Sequence, residues 1–173
     1  LPDIRRLFKS SPGRVFVQAD YSQAELRVIA QLSQDVELCR IYQEGLDLHT
    51  EVATRFYGPN FTTENRQSAK NMDFGVAYRI TAKTFKQHHG IPIAEGQKFI
   101  DWWWGRFSGV ARWEKDVEKL VHANAVISPF GRKKRYYLIT DINKMALYRE
   151  AINFYPESTA SDITLLAGIT IHN

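Results

Sequence analysis

Gln18-Ala19-Asp20-Tyr21-Ser22-Gln23-Ala24-Glu25-Leu26-Arg27 decides how the rest of this chain is read. Just before it, Val15, Val17 and Ala19 alternate with Phe16 and Gln18. That is the pattern of a short strand apolar on both faces, and hence buried. After Ser22 the period changes. Leu26, Ile29, Ala30 and Ser33 fall at helical spacing, and Ser22 with Glu25 is a capping-box pair. The unit is strand, Asp, helix. An Asp held at a strand end is well placed to ligate a divalent cation. The same Asp–Glu pair also suits an ordinary helix start favoured by the helix dipole.

A second stretch runs from Thr63 to Arg79. Arg66, Lys70, Phe74 and Tyr78 recur at intervals of four, so on a helix they form one slowly drifting stripe. Two cations lie toward its N-terminal end and two aromatic rings toward its C-terminal end. A nucleoside triphosphate has the same polarity, anionic at one end and flat at the other. The competing reading is an amphipathic helix with both rings in the core and both cations solvated. Gly75 leaves room for another backbone or a base.

The remaining segments are predicted to be mostly helical. Helices are expected over Asp35 to Gln43, from His49 toward Tyr57, from Ile80 to His89, from Ala94 to Phe107, around Val110 to Val121, and over Asn143 to Asn153. Trp102, Trp103 and Trp104 are adjacent and cannot share one helical face, so they are expected to pack between elements or meet a partner. Arg132-Lys133-Lys134-Arg135-Tyr136-Tyr137 reads as an extended segment, either a phosphate-tracking patch or a solvated edge. Phe154 to Asp162 reads as a loop leading to a last helix from Ile163.

The composition suits a globular chain of one domain or two small ones. Of 173 residues, 44% are apolar and 24% charged, and the net charge is +4, a modest excess compatible with nucleic acid or phosphorylated ligands. One cysteine allows neither an internal disulfide nor a cysteine zinc site, which suits a reducing cytosol. Leu1 to Arg6 carries no signal-peptide pattern, and no apolar run approaches membrane-spanning length. The missing initiator Met and the apolar run at the end are expected of a piece of a longer protein.

Two motifs in order make the chain similar to the family A DNA polymerases, the DNA polymerase I type. Asp20 to Arg27 resembles that family's motif A, and Arg66, Lys70, Phe74, Gly75 and Tyr78 resemble its motif B. Phe130 to Tyr136 and Arg149 to Asn153 also match in order. The Pro156 to Asp162 stretch resembles phage versions, and a bacterial or phage-infected bacterial cytoplasm is the expected setting. The resemblance implies an α+β fold: a palm over 1–48, mostly helical fingers inserted over 49–125, and a palm return over 126–173. It implies addition of deoxynucleotides to a primer 3′-OH, with two Mg²⁺ ions as cofactors. Primer–template DNA and deoxynucleoside triphosphates are the implied partners, with no membrane partner and no oligomeric state specified.

By resemblance, Asp20 and the Tyr21 backbone carbonyl would ligate metal. Gln23, His49, Arg66 and Lys70 would lie at the triphosphate, with Lys70 as general acid. Glu25 would crowd the sugar 2′ position, Phe74 would pack on the nucleotide, and Tyr78 would stack on the template side. Arg132, Arg149, Asn153 and Glu157 would face DNA. Three departures qualify this. The family's His-Asp-Glu motif, with its second metal-binding Asp, is absent from these 173 residues, so the chain alone is expected not to polymerise. Arg79 stands where Gly is usual, putting hinge motion in doubt and offering a phosphate contact. Glu157 stands where Gln is usual, and an ionised carboxylate cannot donate to minor-groove acceptors. The alternative function is a polymerase-like module that binds DNA or nucleotide without catalysis.

Overall fold

The computed structural model describes residues 4–172. After a short 3-10 turn at Ile4–Leu7 come α1 (Ala24–Ser33), α2 (Val36–Gln43), α3 (Leu48–Tyr57), α4 (Thr63–Ala77), α5 (Ala82–His89), α6 (Ile93–Arg106) and α7 (Ser108–His122). A hairpin of β1 (Ala125–Ile127) and β2 (Lys133–Arg135) follows, antiparallel with Val126 opposite Lys134, and then α8 (Lys144–His172).

The helix starts are set by local chemistry. Asp47 caps α3 by accepting from the Thr50 N–H at 2.7 Å. Thr62 caps α4 in a reciprocal box with Asn65, at 3.2 Å and 2.9 Å. Thr81 caps α5, and Gly90, with φ +69°, ends it in the left-handed conformation. Asp35 starts two helices at once. One carboxylate oxygen accepts from the Leu38 N–H at 2.9 Å, and the other from the Gly109 N–H at 2.6 Å, so the starts of α2 and α7 share a cap.

Apolar burial divides into two clusters. Leu26, Ile29, Leu38, Val52, Phe85 and Trp103 belong to the larger, which α1 to α6 and the start of α7 enclose. Val117, Val126, Tyr148 and Ile152 belong to the smaller, between α7, the hairpin and α8. Trp113 packs against both clusters, its ring edge-on to Tyr155 at 5.8 Å. The three adjacent tryptophans divide as their spacing requires. Trp103 is buried, while Trp102 and Trp104 sit partly buried at the margin.

The chain is mostly helical with one small sheet, and among the described residues the only strands are the two of three residues each. Three expectations need correction. Val15 to Ala19 is not a strand; Val15 and Val17 are 83% and 88% exposed. A strand needs a neighbour for its backbone groups, and none of the described residues pairs with it. The Ser22–Glu25 capping box does not form: Gln23 sits at the α1 N-cap in the left-handed region without a side-chain cap, and Glu25 reaches elsewhere. Phe154 to Asp162 is not a loop, because α8 runs through Pro156. Pro156 removes one N–H, and Ser158 Oγ donates back to the Phe154 carbonyl at 2.6 Å. Burial of Tyr155, Pro156 and Thr159 holds the helix in place.

The Gly109 position makes this packing testable. A Cβ there would lie 2.7 Å from Asp35 Cα and from its carboxylate. Gly109→Ala is expected to cost about 2 kcal/mol of stability by overpacking, read as a lowered urea midpoint. An unchanged midpoint would show that α2 and α7 separate freely.

Candidate functional site

The residues flanking Asp20 and the outer face of α4 meet at a pocket of about 270 Å³. It is lined by Asp20, Gln23, Glu25, Lys70 and Phe74, among others, with Ala160 of α8 on its wall. Lys70 is exposed and Phe74 half-buried. The Phe74 and Tyr78 rings are 6.4 Å apart, so the stripe read from sequence is present on α4. Its ends are neither wholly core nor wholly solvated. Gly75 does not admit a backbone or a base: a Cβ there would meet the Ile80 and Phe85 side chains at 3.0 Å, so this face of α4 is packed against α5 and the turn before it.

Glu25 is committed. The Tyr78 hydroxyl donates to its carboxylate, joining α1 to the C-terminal end of α4. Burial first, then the Glu25 carboxylate, pushes the Tyr78 phenol above its ordinary range, so it stays a donor. Asp20 is exposed and lines the pocket beside Tyr21. A carboxylate and a neighbouring backbone carbonyl are hard oxygen donors. They suit one Mg²⁺ that keeps waters and takes phosphate oxygens at its other positions. Among the described residues, no three His, Cys, Asp or Glu side chains form a ready cation cage. Asp20 and Glu25 are the only carboxylates on this pocket's lining.

Arg66 and His49 are not on that lining. Arg66 lies one turn before Lys70. Its guanidinium donates to Asp47 Oδ2 at 2.5 Å and to Thr50 Oγ1 at 3.3 Å. Gln23 donates to the same Asp47 oxygen at 3.1 Å and accepts from the Tyr42 hydroxyl at 3.0 Å. Burial would raise the Asp47 pKa, but the Thr50 N–H and the Arg66 guanidinium outweigh it and hold the carboxyl below its ordinary range. His49 is buried under Phe74, with ring centroids 5.7 Å apart. Its Nδ1 lies 2.8 Å from Asp73 Oδ2, and its Nε2 has no protein partner. The Trp103 indole donates to the other Asp73 oxygen at 3.2 Å. Burial pushes Asp73 up to about 6 against the pull of His49 and Trp103.

The suggested phosphate-contacting role of Arg79 meets a prior claim on its guanidinium. Arg79 has φ +59°, the left-handed region where glycine is favoured. Its guanidinium reaches α7, at 2.6 Å from Glu114 and 2.6 Å from Glu118. Arg132 is likewise engaged, bonded in fork fashion to Asp162 at 2.6 Å to 2.9 Å. Lys134 pairs with Glu150, while Lys133, Arg135 and Tyr137 remain exposed. On α8, Arg149, Asn153 and Glu157 fall at intervals of four along one face. Arg149 and Glu157 are exposed, and the Asn153 side-chain oxygen is buried without a partner.

The residues that sequence reasoning missed are Asp47, Asp73, Glu114 and Ala160. Asp47 stood three residues before Thr50 at a helix start, which is a capping signal. The others carried none, because their partners are distant in sequence.

The family model for DNA polymerase family A matches residues 2–173. The chain belongs to that family. This family A chain is 38% identical over 178 residues to a thermostable DNA polymerase I of Thermus aquaticus, covering 97% of this chain and 21% of the relative. It is 31% identical over 172 residues to a DNA polymerase of Mycobacterium phage D29, covering 98% of this chain and 27% of that one. Among solved structures it is similar to the POL domain of Pol1 from M. smegmatis, solved in complex with DNA primer-template and dNTP. The TM-score is 0.75 at 31% identity, over 84% of this chain and 27% of the other. The family A chain thus spans about a fifth to a quarter of these relatives' length. Among the described residues no helix is long and apolar enough to cross a membrane.

Glu114 gives the family A chain a pH signature. It is 2% exposed, and burial pushes its carboxyl up to about 7, against Arg79. The folded state therefore holds this proton more tightly than the unfolded chain, whose carboxyl titrates near 4.5. Stability is expected to fall as pH rises from about 4.5 to 7, by on the order of 3 kcal/mol from this group. Urea melts at pH 5 and pH 8 should show that fall in the wild type and a smaller one in Glu114→Gln. Equal slopes would contradict the assignment.

Proposed function

We propose that this chain is the nucleotide-selecting part of a template-directed DNA polymerase that extends a primer 3′-OH with deoxynucleotides. The observation that carries the reading is the shared pocket, where Asp20, Glu25, Lys70 and Phe74 come together from segments 50 residues apart in sequence. In this reading residues 1–48 and 126–173 belong to a palm and 49–125 to fingers. A cytoplasmic setting, bacterial or phage-infected, accompanies it. The M. smegmatis relative's bound primer-template and dNTP support the same two partners here.

Each side chain then has a task. Asp20 and the Tyr21 carbonyl would hold Mg²⁺, which when bound would supply activation of the attacking oxygen and neutralisation of phosphate charge. Lys70 sits where the triphosphate's outer phosphates would lie and donates a proton to the leaving pyrophosphate. Arg66, one turn away, adds a second cation once its guanidinium turns from Asp47. Glu25, fixed by Tyr78, closes the space beside the sugar 2′ position and so excludes a ribose hydroxyl. Phe74 offers its ring to the nucleotide, and Tyr78 ends the stripe on the template side. His49 backs Phe74. Arg149, Asn153, Glu157 and Arg132 face the DNA, Arg132 with its charge already shared with Asp162. A second Mg²⁺ needs a carboxylate beyond Asp20, and Glu25 is taken by Tyr78.

Titration of the chain with dTTP and Mg²⁺ tests this. Lys70→Ala is expected to weaken binding about tenfold, the scale of a charge-assisted hydrogen bond. Asp20→Asn is expected to abolish the Mg²⁺ dependence. Unchanged affinity in Lys70→Ala would overturn the reading. The same chain is expected not to extend a primer, since one free carboxylate cannot clamp two ions; extension would refute that part alone.

Glu157 favours the second reading, a module that binds without catalysis. It is an exposed carboxylate in line with Arg149 and Asn153 on the DNA face. Glu157→Gln is expected to tighten primer–template binding in a gel shift at fixed salt, by removing repulsion and adding a donor. Unchanged or weaker binding would show that this face does not meet DNA.

A further inference from the structure

Asp47 is the hub of the network beside the pocket. It caps α3 through the Thr50 N–H at 2.7 Å, receives Gln23 from the α1 start at 3.1 Å, and receives Arg66 from α4 at 2.5 Å. Gln23 itself lines the pocket, and Arg66 lies one turn from Lys70, which also lines it. Two donors that flank the pocket thus converge on a single oxygen, Oδ2, while Oδ1 does the capping. A half-exposed carboxylate that gathers an amide and a guanidinium offers them what a phosphate oxygen would offer. It carries the same sign of charge and also accepts from a planar guanidinium.

We propose that Asp47 is a positioning residue for the triphosphate: its carboxylate competes with the incoming phosphates for Arg66 and Gln23, and yields both donors as they bind. The inference rests on the reading of the pocket as a nucleotide site. The contest is close. The Arg66–Asp47 pair is 39% and 35% exposed, so it is worth little in water, and a polyanion with several oxygens outbids it. The Thr50 N–H stays on Asp47 Oδ1 and keeps α3 capped while Oδ2 is released, so the exchange leaves the helix start intact. Asp47 keeps Arg66 and Gln23 close to the pocket instead of extended into solvent, at the cost of weaker ground-state binding. It also couples α1 and α4, because Gln23 and Arg66 share one acceptor oxygen.

Asp47→Asn tests this, because Asn caps a helix as well as Asp through its one oxygen, while the charge and the second acceptor are removed. The probe is inorganic tripolyphosphate in EDTA, followed by calorimetry, so that metal ligation plays no part. Asp47→Asn is expected to bind it about fivefold more tightly than wild type, the scale of one exposed ion pair. Glu95→Gln, which removes the same formal charge from α6, should change binding less than twofold. In an Arg66→Ala background the gain from Asp47→Asn should shrink, which a purely structural role of Asp47 would not produce. Equal or weaker binding in Asp47→Asn, a gain matched by Glu95→Gln, or a full gain without Arg66 would each overturn the inference and leave the pocket reading standing. Failure of wild type and Asp47→Asn alike to bind tripolyphosphate would remove the pocket reading itself, and this inference with it.

Discussion

The hydrogen bond from Tyr78 to Glu25 joins the two helices whose facing sides make the pocket. Without it the C-terminal end of α4 would be tied to the site only by Phe74 and its neighbours. With it, Glu25 cannot cap α1, so α1 begins uncapped with Gln23 in a left-handed conformation. Gln23 is thereby turned toward Asp47 and Tyr42. A weaker helix start is exchanged for a carboxylate fixed at the pocket wall and an amide at its rim. Local regularity is commonly surrendered in this way where a site is built.

The other end of the same arrangement is the hold on α4. On its inner face Ala69, Met72 and Val76 are buried, and Gly75 admits Ile80 and Phe85. Asp73 ties it to His49 and Trp103, and Arg79 carries the chain out of the helix into the grip of Glu114 and Glu118 on α7. The outer face is left to Arg66, Lys70, Phe74 and Tyr78. Their order along the helix becomes an order in space because one continuous helix, capped at Thr62, carries them. The polarity of the stripe, cations then rings, is therefore carried intact from sequence to pocket.

Much of the helical framework was legible beforehand. Capping residues and glycine stops mark α2 to α5 within a residue or two, since those signals act over one turn. The Asp20 neighbourhood and the α4 stripe were also legible, as short motifs with their own chemistry. The errors fell where local pattern and tertiary packing disagree. Val15 to Ala19 has a strand's alternation but no pairing partner among the described residues. Pro156 has a breaker's chemistry, yet burial of its neighbours carries α8 past it, which brings Glu157 into line with Arg149 and puts Ala160 on the pocket wall.

What the sequence by itself determined is most of the helices before α8, the family, and the candidate list on α4 and around Asp20, because each is encoded within a few consecutive turns. What only the tertiary structure decided is which of those candidates are free. Lys70 and Asp20 face the pocket, whereas Arg66 is held by Asp47, Arg132 by Asp162, Arg79 by two glutamates and Glu25 by Tyr78. Side-chain pairing between residues 19 to 53 positions apart leaves no local trace, since hydrogen bonds and Coulomb forces act on distance in space and not along the chain.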